Sequence, residues 1–290
     1  MAEIRTRTIE ANGLRFAIDE AGAGDRVALL LHGFPQSRRC WRHLLPVIAA
    51  GGWRAVAPDM RGYGGSSRPA GRAAYRIEHL VADAAGLFDA LGARQRLLIG
   101  HDWGGIVAWA FAIRQATPLD GLVIVNAPHP AVFDRVIRSG WRQRLRSWYV
   151  LFFQLPWLSE LAMTRDHAAA VGDALRDSAC RPDTFPAEML AHYRDNAAAP
   201  GAMTAMLNYY RANLNIAAMA EGKAVGAPTL LIWGERDHAL GPELIAPTVG
   251  YVSDLAIRRL PEVSHWVPEE APAEVDAALT AWLCERGLAG

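Results

Sequence analysis

Short apolar runs recur along the chain, separated by stretches with helical periodicity. Val27–Leu31 (VALLL) is apolar at every position and lies between Gly24 and His32-Gly33. Continuous runs of this kind suit strands buried on both faces of a sheet, because a strand with one wet face alternates instead. Arg54–Ala57, Arg96–Ile99, Leu122–Val125, Thr229–Trp233 and Leu255–Leu260 have the same character. Ile4–Glu10 and Leu14–Asp19 flank Asn12-Gly13, a hairpin signal. Between the runs, Ile77, Leu80, Val81, Ala84, Phe88 and Leu91 recur at helical spacing, and Gly92 follows as the residue that stops the helix. Strands alternating with helices predict an α/β fold with a mostly parallel sheet flanked by helices.

The alternation breaks after Val125-Asn126-Ala127-Pro128. From about His129 to about Met219 the chain is rich in Ala, Arg, Trp and Tyr and carries no strand pattern, which resumes at Ala227-Pro228-Thr229. This predicts a helical cap over residues 129–219, inserted into a core made of residues 1–128 and 220–290. Pockets form at such junctions.

Composition narrows the function classes. The chain has 290 residues, 51% of them hydrophobic and 21% charged, with a formal net charge of zero. That is enough apolar material for a large core. Nothing in the overall charge favours nucleic acid or an anionic membrane surface as a partner. Cys40, Cys180 and Cys284 are odd in number and far apart, which argues against a disulfide framework or a zinc cluster and for a reducing compartment. MAEIRTRTIEANG at the N-terminus has no apolar signal region, and no run approaches the ~18 apolar residues of a membrane span. A cytoplasmic protein is expected. No metal cluster, dinucleotide fingerprint or phosphate-binding loop is visible, so no cofactor is expected.

The chemistry sits where apolar runs end. Ile99–Gly105 reads IGHDWGG, a strand running into glycine, one carboxylate and two more glycines. Gly-x-Asp-x-Gly between a strand and a helix has the layout of a nucleophile elbow, with Asp102 where serine usually stands. An aspartate before a helix is also an ordinary N-cap. Two further features favour chemistry. Leu231–His238 (LIWGERDH) places Asp237 after a late strand, and Val263–Pro268 (VSHWVP) places His265 after the last one. Nucleophile, acid, histidine is the chain order of an α/β-hydrolase triad. Leu31–Pro35 (LHGFP) follows the early strand. The backbone N–H groups of Phe34 and Trp103 are then the expected oxyanion hole, and Phe34-Pro35 is a candidate cis peptide.

These motifs resemble the α/β-hydrolase superfamily and, within it, the epoxide hydrolases: HGFP at His32–Pro35, GHDWGG at Gly100–Gly105, GERD at Gly234–Asp237 and SHW at Ser264–Trp266. Pro58–Gly64 also matches a structural turn of that family. The resemblance implies that Asp102 attacks an epoxide to form an ester, that His265 held by Asp237 activates water to hydrolyse it, and that a vicinal diol leaves. A carboxylate suits this chemistry because an ester can be hydrolysed, whereas a serine ether could not. The resemblance further implies two cap tyrosines that donate to the opened oxygen. Ser147–Pro156 and Met206–Arg211 resemble the tyrosine motifs, and Tyr149 and Tyr210 match by position, with Tyr209 as the alternative to Tyr210. Phe34, Pro35, Trp103, Trp148, Phe153 and Trp266 are expected to line an apolar pocket for a neutral organic epoxide.

Two other functions remain open. Haloalkane and haloacetate dehalogenases share an elbow aspartate. Their relatives acting on fluoroacetate tend to carry histidine at the Tyr149 position and arginines near the nucleophile, and those acting on haloalkanes usually carry a polar residue at Phe34. The fold also occurs in non-catalytic ligand-binding proteins. A homodimer is compatible with the sequence.

Overall fold

The computed structural model describes residues 2–215 and 224–289. Eight strands form one sheet: β1 (Arg5–Ala11), β2 (Leu14–Ala21), β3 (Arg26–Leu31), β4 (Arg54–Pro58), β5 (Gln95–His101), β6 (Gly121–Val125), β7 (Thr229–Gly234) and β8 (Leu255–Leu260). Their order across the sheet is β1-β2-β4-β3-β5-β6-β7-β8. β1 and β2 make the expected hairpin, and β2 runs antiparallel to β4. All other pairs are parallel.

The VALLL run explains itself in this setting. Val27, Leu29 and Leu31 point into one apolar layer, and Ala28 and Leu30 point into the other. The first layer holds α2 (Ile77–Ala90) and α3 (Trp103–Ile113), and every residue of α3 is buried. The second is covered by α1 (Leu44–Ala50) and α11 (Pro272–Glu285), which bring in Leu45 and Trp282. α2 ends where the pattern placed its stop, and Gly92 takes a positive φ of 67°.

β8 departs from expectation. Its sequence groups it with the doubly buried strands, but it is an edge strand in which Ile257, Arg258 and Arg259 are exposed. Neighbours, not local apolar content, decide whether a strand is covered.

After β6 the described chain is helical: α4 (Pro130–Ser139), α5 (Trp141–Arg146), α6 (Trp148–Phe152), α7 (Leu158–Ser178), α8 (Ala187–Ala198) and α9 (Ala202–Ala212). α7 is broken by non-helical backbone at Arg165–Ala168. No strand occurs among residues 129–215. The expected boundary between Met219 and residue 220 lies outside the described residues. A short α10 (Val267–Glu270) follows the last strand. No described helix is long and apolar enough to cross a membrane.

Candidate active site

The site forms where the direction of chain progression across the sheet reverses. β3 is followed by β4 on one side, and β5 by β6 on the other. Loops diverge at such a switch point and leave a crevice beyond the strand ends. Leu31 pairs with Gly100 across β3 and β5, so the residues just after each are brought together. The Phe34 backbone N–H donates to Oδ1 of Asp102 at 2.8 Å. The Trp103 N–H, at the start of α3, lies close enough to this carboxylate to lower its pKa. The Phe34–Pro35 bond is cis.

Close packing of backbone at the elbow accounts for its glycines. A Cβ on Gly104 would collide with the Leu31 and His32 carbonyls, and one on Gly33 with the Asp102 side chain. The unusual dihedrals fall on Asp102 itself, at φ 51° and ψ −120°. Non-glycine residues rarely adopt such a conformation, and strain of this kind clusters at functional sites.

Two loops from distant parts of the chain meet the elbow. Asp237, after β7, is fully buried in its side chain and accepts from the N–H groups of Ala239 and Leu240 at 2.7 and 2.8 Å. His265 Nδ1 lies 2.6 Å from Oδ2 of Asp237, and its Nε2 lies 3.7 Å from Oδ2 of Asp102. Burial would raise the Asp237 carboxyl, but His265, Asn126 and the Leu240 N–H outweigh it and hold it below its ordinary value. Burial would lower the His265 imidazole, yet Asp237, with a smaller contribution from Asp102, holds it above. Asp102 is raised by burial, against the pull of His265 and the two N–H donors.

α6 and α9 close the crevice from above. Tyr149 and Tyr210 both line two cavities of about 410 and about 600 Å³, and Asp102 is the third residue common to both. Their rings stand 6.0 Å apart and nearly perpendicular. Burial pushes both phenols upward, so both hold their protons at neutral pH. The Trp103 ring packs edge-on against Tyr210, centroids 5.0 Å apart. Tyr209 points elsewhere and donates to the Arg61 carbonyl at 2.8 Å. The larger cavity is lined by Phe34, Pro35, Trp148, Phe153, His265 and Trp266, and the smaller by Trp103. Trp148 stands at the mouth, 64% exposed, rather than inside.

Three further residues belong to this constellation and carried no local signal in the sequence. Asn126 donates through Nδ2 to Oδ2 of Asp237 at 2.8 Å, and its Oδ1 accepts from the Gly234 N–H. His101 Nε2 lies 2.9 Å from the His265 carbonyl. A carbonyl only accepts, so Nε2 carries the proton, and burial followed by the nearby His265 keeps this ring well below its usual pKa. Glu270 accepts from the backbone N–H and the hydroxyl of Ser264, the neighbour of His265. Asn126, His101 and Ser264 stand inside the quoted stretches, but their partners are set by tertiary structure.

Comparison with known proteins places this geometry. A sequence profile of the family described as "alpha/beta hydrolase fold" matches residues 27–272. The chain is 34% identical to the AB hydrolase superfamily protein YfhM of Bacillus subtilis, over 98% of this chain and 99% of that one. It is 35% identical to Epoxide hydrolase 4 of Mus musculus, over 96% of this chain and 79% of that one. Among solved structures, an epoxide hydrolase of Bacillus megaterium bound to an inhibitor superposes with a TM-score of 0.88 at 29% identity, covering 96% of this chain and all of the other. By its fold, its sequence and the elbow built around Asp102, the chain belongs to the α/β-hydrolase superfamily and to the epoxide hydrolase family within it.

Proposed function

We propose that this protein is a hydrolase acting on ether bonds, converting an epoxide to a vicinal diol through an ester on Asp102. The observation that carries this is the unequal treatment of the two Asp102 oxygens. Oδ1 is held by the Phe34 N–H, while Oδ2 faces His265 across 3.7 Å, beneath the half-buried Tyr149 and the buried Tyr210. The free Oδ2 attacks an epoxide carbon and the ring C–O bond breaks. Tyr149 and Tyr210 donate hydrogen bonds to the departing oxygen, and one of them gives it a proton. No external base is needed, because a carboxylate is ordinarily ionised near neutral pH, and His265 and the Phe34 N–H favour the charged form of this one.

The second step hydrolyses the ester. His265, oriented by Asp237, takes a proton from water, and that water attacks Cγ of Asp102. Negative charge builds on Oδ1, which the Phe34 N–H already holds, with the Trp103 N–H lying at the same carboxylate. Such a donor is worth about 3–4 kcal/mol to the barrier. Collapse breaks the Cγ–Oδ2 bond, the second water proton passes to that departing oxygen, and the diol leaves with the former Oδ2 while the oxygen from water remains on the Asp102 carboxylate. The proton taken by His265 returns to the tyrosinate, so the net reaction is epoxide plus water to diol.

Charge states support this order. Both carboxylates raise His265 in the free protein. Forming the ester removes the Asp102 charge, so His265 becomes more readily neutral when a base is required. The two cavities meet at Asp102, leaving room for substituents on either side of the epoxide. The helices from residue 129 onward act as a cap that shields the ester from bulk water. The three cysteines are unpaired, in keeping with work in the cytoplasm.

A dehalogenase would use the same Asp102. Phe34 offers no side-chain donor to a halide, and Tyr149 and Tyr210 supply two phenols beside Asp102 that an epoxide oxygen needs, so the epoxide is favoured. The test is diol formation from styrene-type and aliphatic epoxides, with Asp102→Ala as control. A single turnover in heavy-oxygen water should leave the heavy atom on Asp102 and none in the diol. Label in the first-turnover diol, or diol from Asp102→Ala, would defeat the covalent route. Halide release without epoxide turnover would favour the dehalogenase.

A further inference from the structure

Among the described residues, eleven large apolar side chains stand exposed, and eight of them fall between Trp141 and Leu161. Trp141, Leu145, Trp148, Leu151, Trp157 and Leu161 carry most of this surface, each more than half exposed. Apolar clusters on this scale mark interaction sites, whereas scattered ones need no explanation. Trp157 is the extreme case, at 85% exposure and with φ of 68°. A bulky residue there is strained. Glycine would relieve the strain, yet the chain spends it on presenting an indole to solvent.

The same segment is strongly basic. Residues 135–165 contain six arginines and a single acid, Glu160, in a chain whose charges balance at 30 and 30 as a whole. Glu160 is occupied by Arg211. Arg138, Arg146 and Arg165 pair with Asp134, Glu243 and Asp166. Arg135, Arg142 and Arg144 have no carboxylate partner among the described residues. Arg142 lies over the Trp141 ring, and Arg144 donates to backbone carbonyls. Overall neutrality, from which no membrane partner was expected, averages this excess away.

We infer that this face of the cap docks on an anionic lipid surface. Tryptophan and leucine beside arginine is the composition of segments that lie in a bilayer interface, with rings at headgroup depth and cations on acidic lipids. The patch also runs into both cavity mouths, since exposed Leu151 lines the smaller cavity and exposed Trp148 the larger. A lipophilic epoxide dissolved in the bilayer would therefore enter directly, an advantage that rests on the proposed epoxide activity. A second copy of the chain fits the face less well. A two-fold contact would set the unpaired arginines against their own copies and cover both mouths.

The test is co-sedimentation of the full chain with vesicles of phosphatidylcholine alone or mixed with phosphatidylglycerol, at low and high salt. Binding should require the anionic lipid and fall with salt. Arg142→Gln should weaken it roughly fivefold, the factor for one basic residue at such a surface. Trp141→Ser with Trp157→Gly should weaken it at least as much. Trp157→Gly relieves a strained φ, so its melting temperature should not drop, and lost binding would not reflect unfolding. No sedimentation with anionic vesicles, or equal sedimentation of the variants, would overturn the inference. So would a lipid-free dimer in sedimentation velocity that the tryptophan variants dissociate. Binding is read without turnover, so an active protein that ignores vesicles sinks only this inference, and an inactive one that binds sinks only the epoxide activity.

Discussion

Nε2 of His265 stands 3.7 Å from Oδ2 of Asp102, while its Nδ1 is 2.6 Å from Oδ2 of Asp237. The second distance is a charge-assisted hydrogen bond, and the first is too long for one. One ring nitrogen is thus fixed, and the other faces a gap beside the proposed ester carbon. If that gap is where His265 activates water, its loss should stop the second step and spare the first. His265→Gln is expected to accumulate the ester, with intact protein mass rising by the mass of the epoxide. An unmodified protein after mixing with a substrate that the wild type converts would count against the two-step route.

The two flanking carboxylates also set a pH dependence. In the free protein Asp237 and, more weakly, Asp102 raise His265 against the effect of burial. A base must be neutral to act, so ester hydrolysis should speed up as pH rises through the His265 pKa. Ester formation removes the Asp102 charge and with it one of the raising influences. The pKa seen in single-turnover ester hydrolysis should therefore lie below the His265 pKa titrated by NMR in the free protein. An equal or higher kinetic value would mean that Asp102 does not act on His265 through its charge.

How much of this was legible depended on whether a residue's role is written locally. The VALLL run could be read because burial on both faces leaves no polar position. The Asp102 elbow could be read because close backbone approach demands glycine at Gly104. Asn126 could not, since its partner Asp237 lies 111 positions further on. Tyr149 and Tyr210 came from family resemblance alone. Nothing local separates Tyr210, on both cavities, from Tyr209, bonded to the Arg61 carbonyl, because one helical step turns a side chain by about 100°. β8 reads as a buried strand because its edge position is fixed by sheet order.

Asp102 carries a conformational cost that its proposed chemistry would justify. Its φ of 51° with ψ of −120° is sparsely populated, and such strain costs about 1–3 kcal/mol. Asp102→Gly should remove the strain and the half-buried carboxylate together. Glycine loses about 0.5–1 kcal/mol through its freer unfolded chain. The expected net is a protein about 1 kcal/mol more stable and devoid of diol formation, measured by urea unfolding and product assay. A clear loss of stability would mean that the N–H groups of Phe34 and Trp103 at the carboxylate outweigh the strain.

The helix bearing Tyr210 is anchored by its neighbour Arg211. That guanidinium, nearly buried, donates to both oxygens of Glu160 at 2.6 and 2.9 Å. It also donates to the Phe153 carbonyl at 2.7 Å and to the Ser159 hydroxyl at 2.8 Å. α9 is thereby tied to the chain just beyond Tyr149. The Arg211 hydrogen bonds hold the Glu160 carboxyl down at about 2, from an ordinary 4.5. A carboxyl depressed on folding contributes stability that is complete above its unfolded value and is lost as pH falls through the folded one. Glu160→Gln should therefore cost about 1–3 kcal/mol at pH 7, the usual penalty for depriving a buried charged donor of its partner. The deficit should shrink as the wild type is taken from about pH 4.5 to about pH 2 and then vanish. Urea unfolding of both proteins across that window is the measurement. A deficit that persists undiminished at pH 2 would show that Glu160 acts through packing and neutral hydrogen bonds rather than through its charge.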